Sequence, residues 1–106
     1  MKSRTAIQVT FRVESGLIKA ATGREAQCLI ALFNAGSKGI TSLETFKAGW
    51  AVRLGAYVFD LKRMGVAITT TREPHEGDNH GRYTLACRVE IVEISGADAA
   101  ELAVAA

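Results

Sequence analysis

Residues 39–65 read GITSLETFKAGWAVRLGAYVFDLKRMG, and this stretch decides the fold. Thr41 and Glu44 stand in the S/T-x-x-E spacing, in which a hydroxyl and a carboxylate satisfy the first free backbone amides of a helix. A short helix therefore begins there and is stopped by Gly49, with Leu43 and Phe46, three apart, as its core contacts. A longer helix is expected from about Trp50 to Met64, because Leu54, Val58, Leu61 and the position of Gly65 recur at helical spacing. Gly65 closes it. Two helices joined by a short glycine-containing turn make a helix-turn-helix.

Working upstream, Thr22 and Glu25 repeat the capping spacing and predict a first helix from Gly23 to about Asn34. Its Ala26, Leu29, Ile30, Leu32 and Phe33 form one broad apolar face. Residues 5–13 alternate, with Ile7, Val9, Phe11 and Val13 on one side and Gln8, Thr10 and Arg12 on the other, which is the signature of a half-buried strand. Downstream, residues 66–72 are rich in β-branched side chains, residues 74–81 (PHEGDNHG) form a loop, and Tyr83, Leu85, Cys87, Val89 and Ile91 alternate inward. The order is strand, three helices, strand, loop, strand. It predicts an α+β fold, a winged helix-turn-helix with a three-helix core, a β-hairpin wing and an extra N-terminal strand. Residues 1–95 are read as a single domain and residues 96–106 as an Ala-rich tail.

Over residues 26–85 the chain resembles the small helix-turn-helix domains encoded by bacteriophages and prophages. The resemblance is carried by GITSLETFKAG at 39–49, Arg53 and Leu54 at the front of the third helix, LKRMG at 61–65 and GRYTL at 81–85. It implies DNA binding in phage gene control or DNA handling, with the third helix in the major groove. Members carry a second arginine where this chain has Tyr57, so one cation of the family pattern is missing.

The 106 residues are 48% apolar with a single proline, which suits one folded domain. A formal charge of +2 is too small to demand a polyanionic partner, so any basic surface must come from local clustering. No window reaches the roughly 18 apolar residues of a membrane span, and residues 1–16 lack a signal-peptide core, so a cytoplasmic protein is expected. Cys28 and Cys87 have no paired spacing and are expected as reduced, buried, apolar groups. No nucleophile with a helping His and acid, and no glycine-rich phosphate loop, is present, so catalysis and a cofactor are not expected. Glu25 and Glu44 are both assigned to caps.

Stepping about 100° per residue from Leu54 places Val52, Arg53, Ala56, Phe59, Asp60 and Arg63 on the outer side of the third helix and Lys62 on its flank. Arg53 suits a guanine edge, since a guanidinium can bond O6 and N7 together. Lys47, Lys62 and Arg63 suit phosphates, and Arg72 and Arg82 bracket the wing tip. Ordinary solvated cations are the bland alternative. The apolar stripe Val52, Ala56 and Phe59 has three readings: cover by the wing or first strand, an anchor for a second copy or another protein, or contact with a thymine methyl. Double-stranded DNA is thus the first partner expected. A host protein is the second, as for a phage-encoded inhibitor of a host nuclease or bacterial immune complex. His75 and His80 near Glu76 and Asp78 have no metal-ligand spacing and read as a solvated loop. A homodimer is expected because the first strand and residues 91–94 carry more apolar surface than three helices cover.

Overall fold

The structure, a computed structural model, describes residues 7–47, 53–75 and 78–96. Strand β1 (Gln8–Val13) buries Val9 and Phe11 completely, as its alternation requires. Glu14 takes a φ of 55°, the Gly16 amide donates to the Val13 carbonyl at 2.9 Å, and the chain reverses into β2 (Ile18–Thr22). β2 runs antiparallel to β1, with Val9 opposite Ala21 and Phe11 opposite Lys19. The expected lone N-terminal strand is therefore one half of a hairpin.

Helix α1 (Gly23–Ala35) follows β2 with no intervening loop and buries Ala26, Cys28, Leu29, Ile30 and Leu32. It ends at Gly36, whose amide donates to the Leu32 carbonyl from a φ of 58°. A 3-10 turn, Gly36–Lys38, leads to β3 (Ile40–Thr41) and α2 (Ser42–Lys47). The expected box at the start of α2 is formed: Glu44 N–H donates to Thr41 Oγ1 and Thr41 N–H donates to Glu44 Oε1, both at 3.1 Å. Helix α3 (Leu54–Arg63) buries Leu54, Val58 and Leu61, the stripe read from the sequence. Residues 50–52 of the predicted third helix, Val52 among them, lie outside the described residues, as do the side chains of Phe46 and Lys47.

The wing is the antiparallel pair β4 (Ile68–His75) and β5 (Asp78–Leu85), and β3 adds to the far edge of β5 with Ile40 opposite Tyr83. The final strand predicted through Tyr83, Cys87 and Ile91 is interrupted. At Ala86 the amide donates to the Ala67 carbonyl at 2.8 Å, and the chain crosses from the wing sheet into β6 (Val89–Ser95) beside β1. The crossing is held by Glu14, whose amide donates to the Arg88 carbonyl at 2.8 Å and whose carboxylate accepts the Arg88 amide at 2.9 Å. Cys87 sits in this crossing, half-buried, with the Ala67 amide donating to its sulfur at 3.3 Å. It is a clasp between strands, not the buried apolar group expected; Cys28 is that group, fully buried.

One sheet is thus ordered β2-β1-β6 and the other β3-β5-β4. A register shift between Thr10 and Phe11 leaves Val92 without an opposite residue, so β6 is bulged there. The inner faces and helices α1 and α3 share one core, with Phe11, Leu29, Leu32, Leu54, Leu61 and Val66 among its fully buried side chains. Ile91 and Ile94 pack against it. The two segments whose apolar surface argued for a homodimer therefore pair with each other, and that argument loses its basis.

Gly39 marks where the wing closes on the helices. It has a φ of 70°, and a Cβ there would stand 2.5 Å from the Tyr83 carbonyl oxygen and 2.7 Å from Thr84 Oγ1. Gly36, with a similar φ of 58°, would meet nothing within 4 Å. Gly36→Ala is expected to cost about 1 kcal/mol from backbone conformation alone, and Gly39→Ala about 3 kcal/mol or more, because the β3–β5 pair must also open. Urea unfolding of the two variants measures the difference, and equal midpoints would refute the close approach.

Candidate nucleic-acid interface

Helix α3 packs on α1 with Leu54, Val58 and Leu61 buried. Arg53, just before the first turn, is exposed, and its carbonyl accepts the Ala56 amide at 3.0 Å. Lys62 and Arg63 are exposed in the last turn, where cations also complement the helix dipole. Ala56 is half-buried. Phe59 is 59% exposed, so neither the wing nor the first strand covers it, and that reading of the apolar stripe is corrected. The Arg63 guanidinium lies 5.9 Å from the centre of the Phe59 ring, a cation–π spacing across one helical turn. Tyr57 is half-buried and packed against the core.

Among the wing cations, Arg72 is exposed on β4, opposite Gly81. Arg82 is turned inward. Its Nη1 donates to the Lys38 carbonyl at 3.0 Å, and its Nη2 lies 3.3 Å from Glu44 Oε2 as hydrogen bond and ion pair. Arg82 was expected to bracket the wing tip and grip a ligand. It instead ties β5 to the start of α2, because its position opposite Thr41 brings the guanidinium to the capping carboxylate. The side chains of residues 73–80, including His75, His80, Glu76 and Asp78, lie outside the described residues. Among the described residues, no group of three or more His, Cys, Asp or Glu could hold a metal ion.

The second capping box does not form. Gly23 enters α1 with a φ of 62°, its amide donating to the Ile7 carbonyl at 3.1 Å, and Thr22 makes no side-chain cap. Glu25 instead lines, with Asp60 of α3, an open cleft of about 400 Å³ that Ala20, Ala21, Thr22, Arg63 and Met64 also border. Burial pushes the Glu25 carboxyl above the usual carboxylate range, its own backbone amide opposes this, and the hydrogen bond and charge of Asp60 raise it further. Burial, and then the charge of Glu25, push the Cys28 thiol up to about 12, so it stays protonated and unreactive. The Glu25–Asp60 pair went unseen in the sequence because the T-x-x-E spacing pointed to a cap. The glycine directly after Thr22 was the available contrary signal, since the box at Thr41 has Ser42 there.

A family profile described as a winged helix domain matches residues 19–95, more than half of the chain. No curated protein and no solved structure matches the sequence significantly. No helix among the described residues is long and apolar enough to cross a membrane.

A carboxyl raised by folding binds its proton more tightly in the folded chain than in the unfolded one. The Glu25 contribution is therefore favourable below about pH 4.5 and is lost as pH rises through the folded value. Glu25→Gln, which keeps a hydrogen-bonding group but no charge, is expected to raise Tm at neutral pH and to flatten the decline of Tm above about pH 5. Parallel Tm profiles for the two proteins, measured by thermal unfolding, would show that the carboxyls do not meet.

Proposed function

Because the chain belongs to the winged helix domain family, we propose that it binds double-stranded DNA through the outer face of α3. Its role would be that of a phage or prophage transcription regulator or DNA-handling accessory factor. The observation that carries this reading is the exposure of Arg53, at the N-cap of α3, and of Lys62 and Arg63 in its last turn. Arg53 suits a base edge; Lys62 and Arg63 suit the phosphates on either side. Arg72 extends the basic surface along the wing, whereas Arg82 holds the scaffold. The domain acts by binding, with no catalytic step.

A second reading is favoured by Phe59. An apolar ring more than half exposed on the outer side of a helix is the anchor expected at a protein interface. On that reading α3 docks a host protein, as an inhibitor of a nuclease or an immune complex would. Charge and apolar contact can be removed separately, which makes the two readings distinguishable.

Fluorescence anisotropy with a labelled mixed-sequence duplex at two salt concentrations tests the first reading. An Arg53→Ala, Lys62→Ala, Arg63→Ala triple variant is expected to lose most of its affinity and to lower the salt slope by about one for each phosphate contact removed. Arg53→Ala alone should cost about 1 to 3 kcal/mol against a selected site, and Phe59→Ala little. Unchanged affinity and slope in a folded triple variant would sink DNA binding by α3. A cost of about 2 kcal/mol for Phe59→Ala toward a captured protein would favour the second reading.

A further inference from the structure

Helix α3 closes its C-terminus partly from within and partly from another element. The Val66 amide donates to the Leu61 carbonyl at 3.1 Å and the Gly65 amide to the Lys62 carbonyl at 3.0 Å, with Gly65 at a φ of 96°. These two bonds are the paired closure of a Schellman turn, which leaves the Met64 carbonyl to find its own donor. That donor is the Lys19 ammonium of β2, 45 residues away in the chain. The ammonium lies over the turn, since a Cβ at Gly65 would stand 3.0 Å from Lys19 Nζ. Lys19 is paired with Phe11, so it shares the sheet face that turns toward the helices, yet it remains exposed.

β2 thereby fixes a positive charge at the end of α3 where Lys62 and Arg63 are exposed in the last turn. Arg63 also borders a cleft with Ala20, Ala21 and Thr22, which continue β2 beyond Lys19, so the helix end and the strand form one surface. At the other end of α3 the wing comes close: a Cβ at Gly55 would stand 3.4 Å from the Tyr83 hydroxyl. Wing and hairpin therefore border opposite ends of the helix. We infer that the nucleic-acid surface continues past the C-terminus of α3 onto β2, with Lys19 as a further phosphate contact. The inference deepens the DNA reading of α3 and rests on it. An ammonium carries three donors, so the bond to Met64 leaves two for a phosphate, and the anchored side chain has less freedom to lose on binding. Glu25 and Asp60 line the cleft beside this end, so the phosphate is expected outside the cleft, over the turn that Lys19 covers.

The test is fluorescence anisotropy with a labelled mixed-sequence duplex of about three helical turns, at salt concentrations from about 0.05 to about 0.3 M. The full chain is compared with Lys19→Gln, which removes the charge but retains an amide donor, and with Lys19→Arg, which keeps the charge. Circular dichroism confirms that each variant is folded. Lys19→Gln is expected to bind about threefold to tenfold more weakly near 0.1 M salt and to lower the salt slope by about one. Lys19→Arg is expected to keep the slope of the natural chain. Weaker binding by Lys19→Gln with an unchanged slope would make Lys19 a support for the helix end alone; that result, or unchanged affinity, overturns the contact and leaves the DNA reading standing. A slope lowered equally in Lys19→Arg overturns it too, because the charge would then not be what the duplex meets. Absence of binding by the natural chain at every salt concentration removes the DNA reading, and the contact with it.

Discussion

The Glu44 carboxylate serves two masters. One oxygen accepts the Thr41 amide and closes the N-terminus of α2, and the other accepts the Arg82 guanidinium from the wing. Thr41 itself is fully buried and lies in β3, opposite Arg82. The same few atoms therefore define where the helix starts, pair the short strand before it and fix the wing against the helical core. A half-exposed ion pair alone contributes about 1 kcal/mol or less. Here it is reinforced by the reciprocal caps and by the approach of Gly39 to Tyr83, so the elements share one junction. The relative placement of α2 and the wing depends on that junction.

Two occurrences of T-x-x-E mark how far the sequence could be read. At Thr41 the spacing and the structure agree, because Ser42 permits the ordinary entry into a helix. At Thr22 they part, because β2 delivers the chain straight into α1 through a positive φ at Gly23. The three helices, the buried stripes of α1 and α3 and the hairpin wing were legible because each rests on local periodicity; Leu43, expected as a core contact of α2, is only half-buried and stands outside the core. β2 was not: Ile18, Lys19 and Ala20 are exposed, so no alternation distinguishes the strand, and only its pairing with β1 defines it. The break at Cys87 was hidden for a related reason, since Val89 and Ile91 continue the apparent alternation of Tyr83 and Leu85 while facing a different sheet.

The site was legible on one helix and opaque between helices. Angular position on α3 foretold the exposure of Arg53, Phe59 and Arg63. It said nothing of Arg82, whose partner is distant in sequence, or of Glu25 and Asp60, which meet only when α1 packs on α3. The stacking of Arg63 on Phe59 changes the character of that face. An aromatic ring under a guanidinium limits where the cation can reach, so the charge is presented with fewer conformations to lose on binding.

β1 lies at the centre of its sheet, between a neighbour that follows it at once and one that arrives only after the helices and the wing, with Gln8 opposite Ser95. During synthesis the β1–β2 hairpin and the helices can assemble early, but one edge of β1 stays unpaired until residues 89–95 emerge. Until then its backbone donors and acceptors stand open beside Val9 and Phe11, both fully buried in the finished core. The wait for β6 is therefore an interval in which this edge can pair wrongly, and crowding with other nascent copies would be felt then more than after β6 has docked.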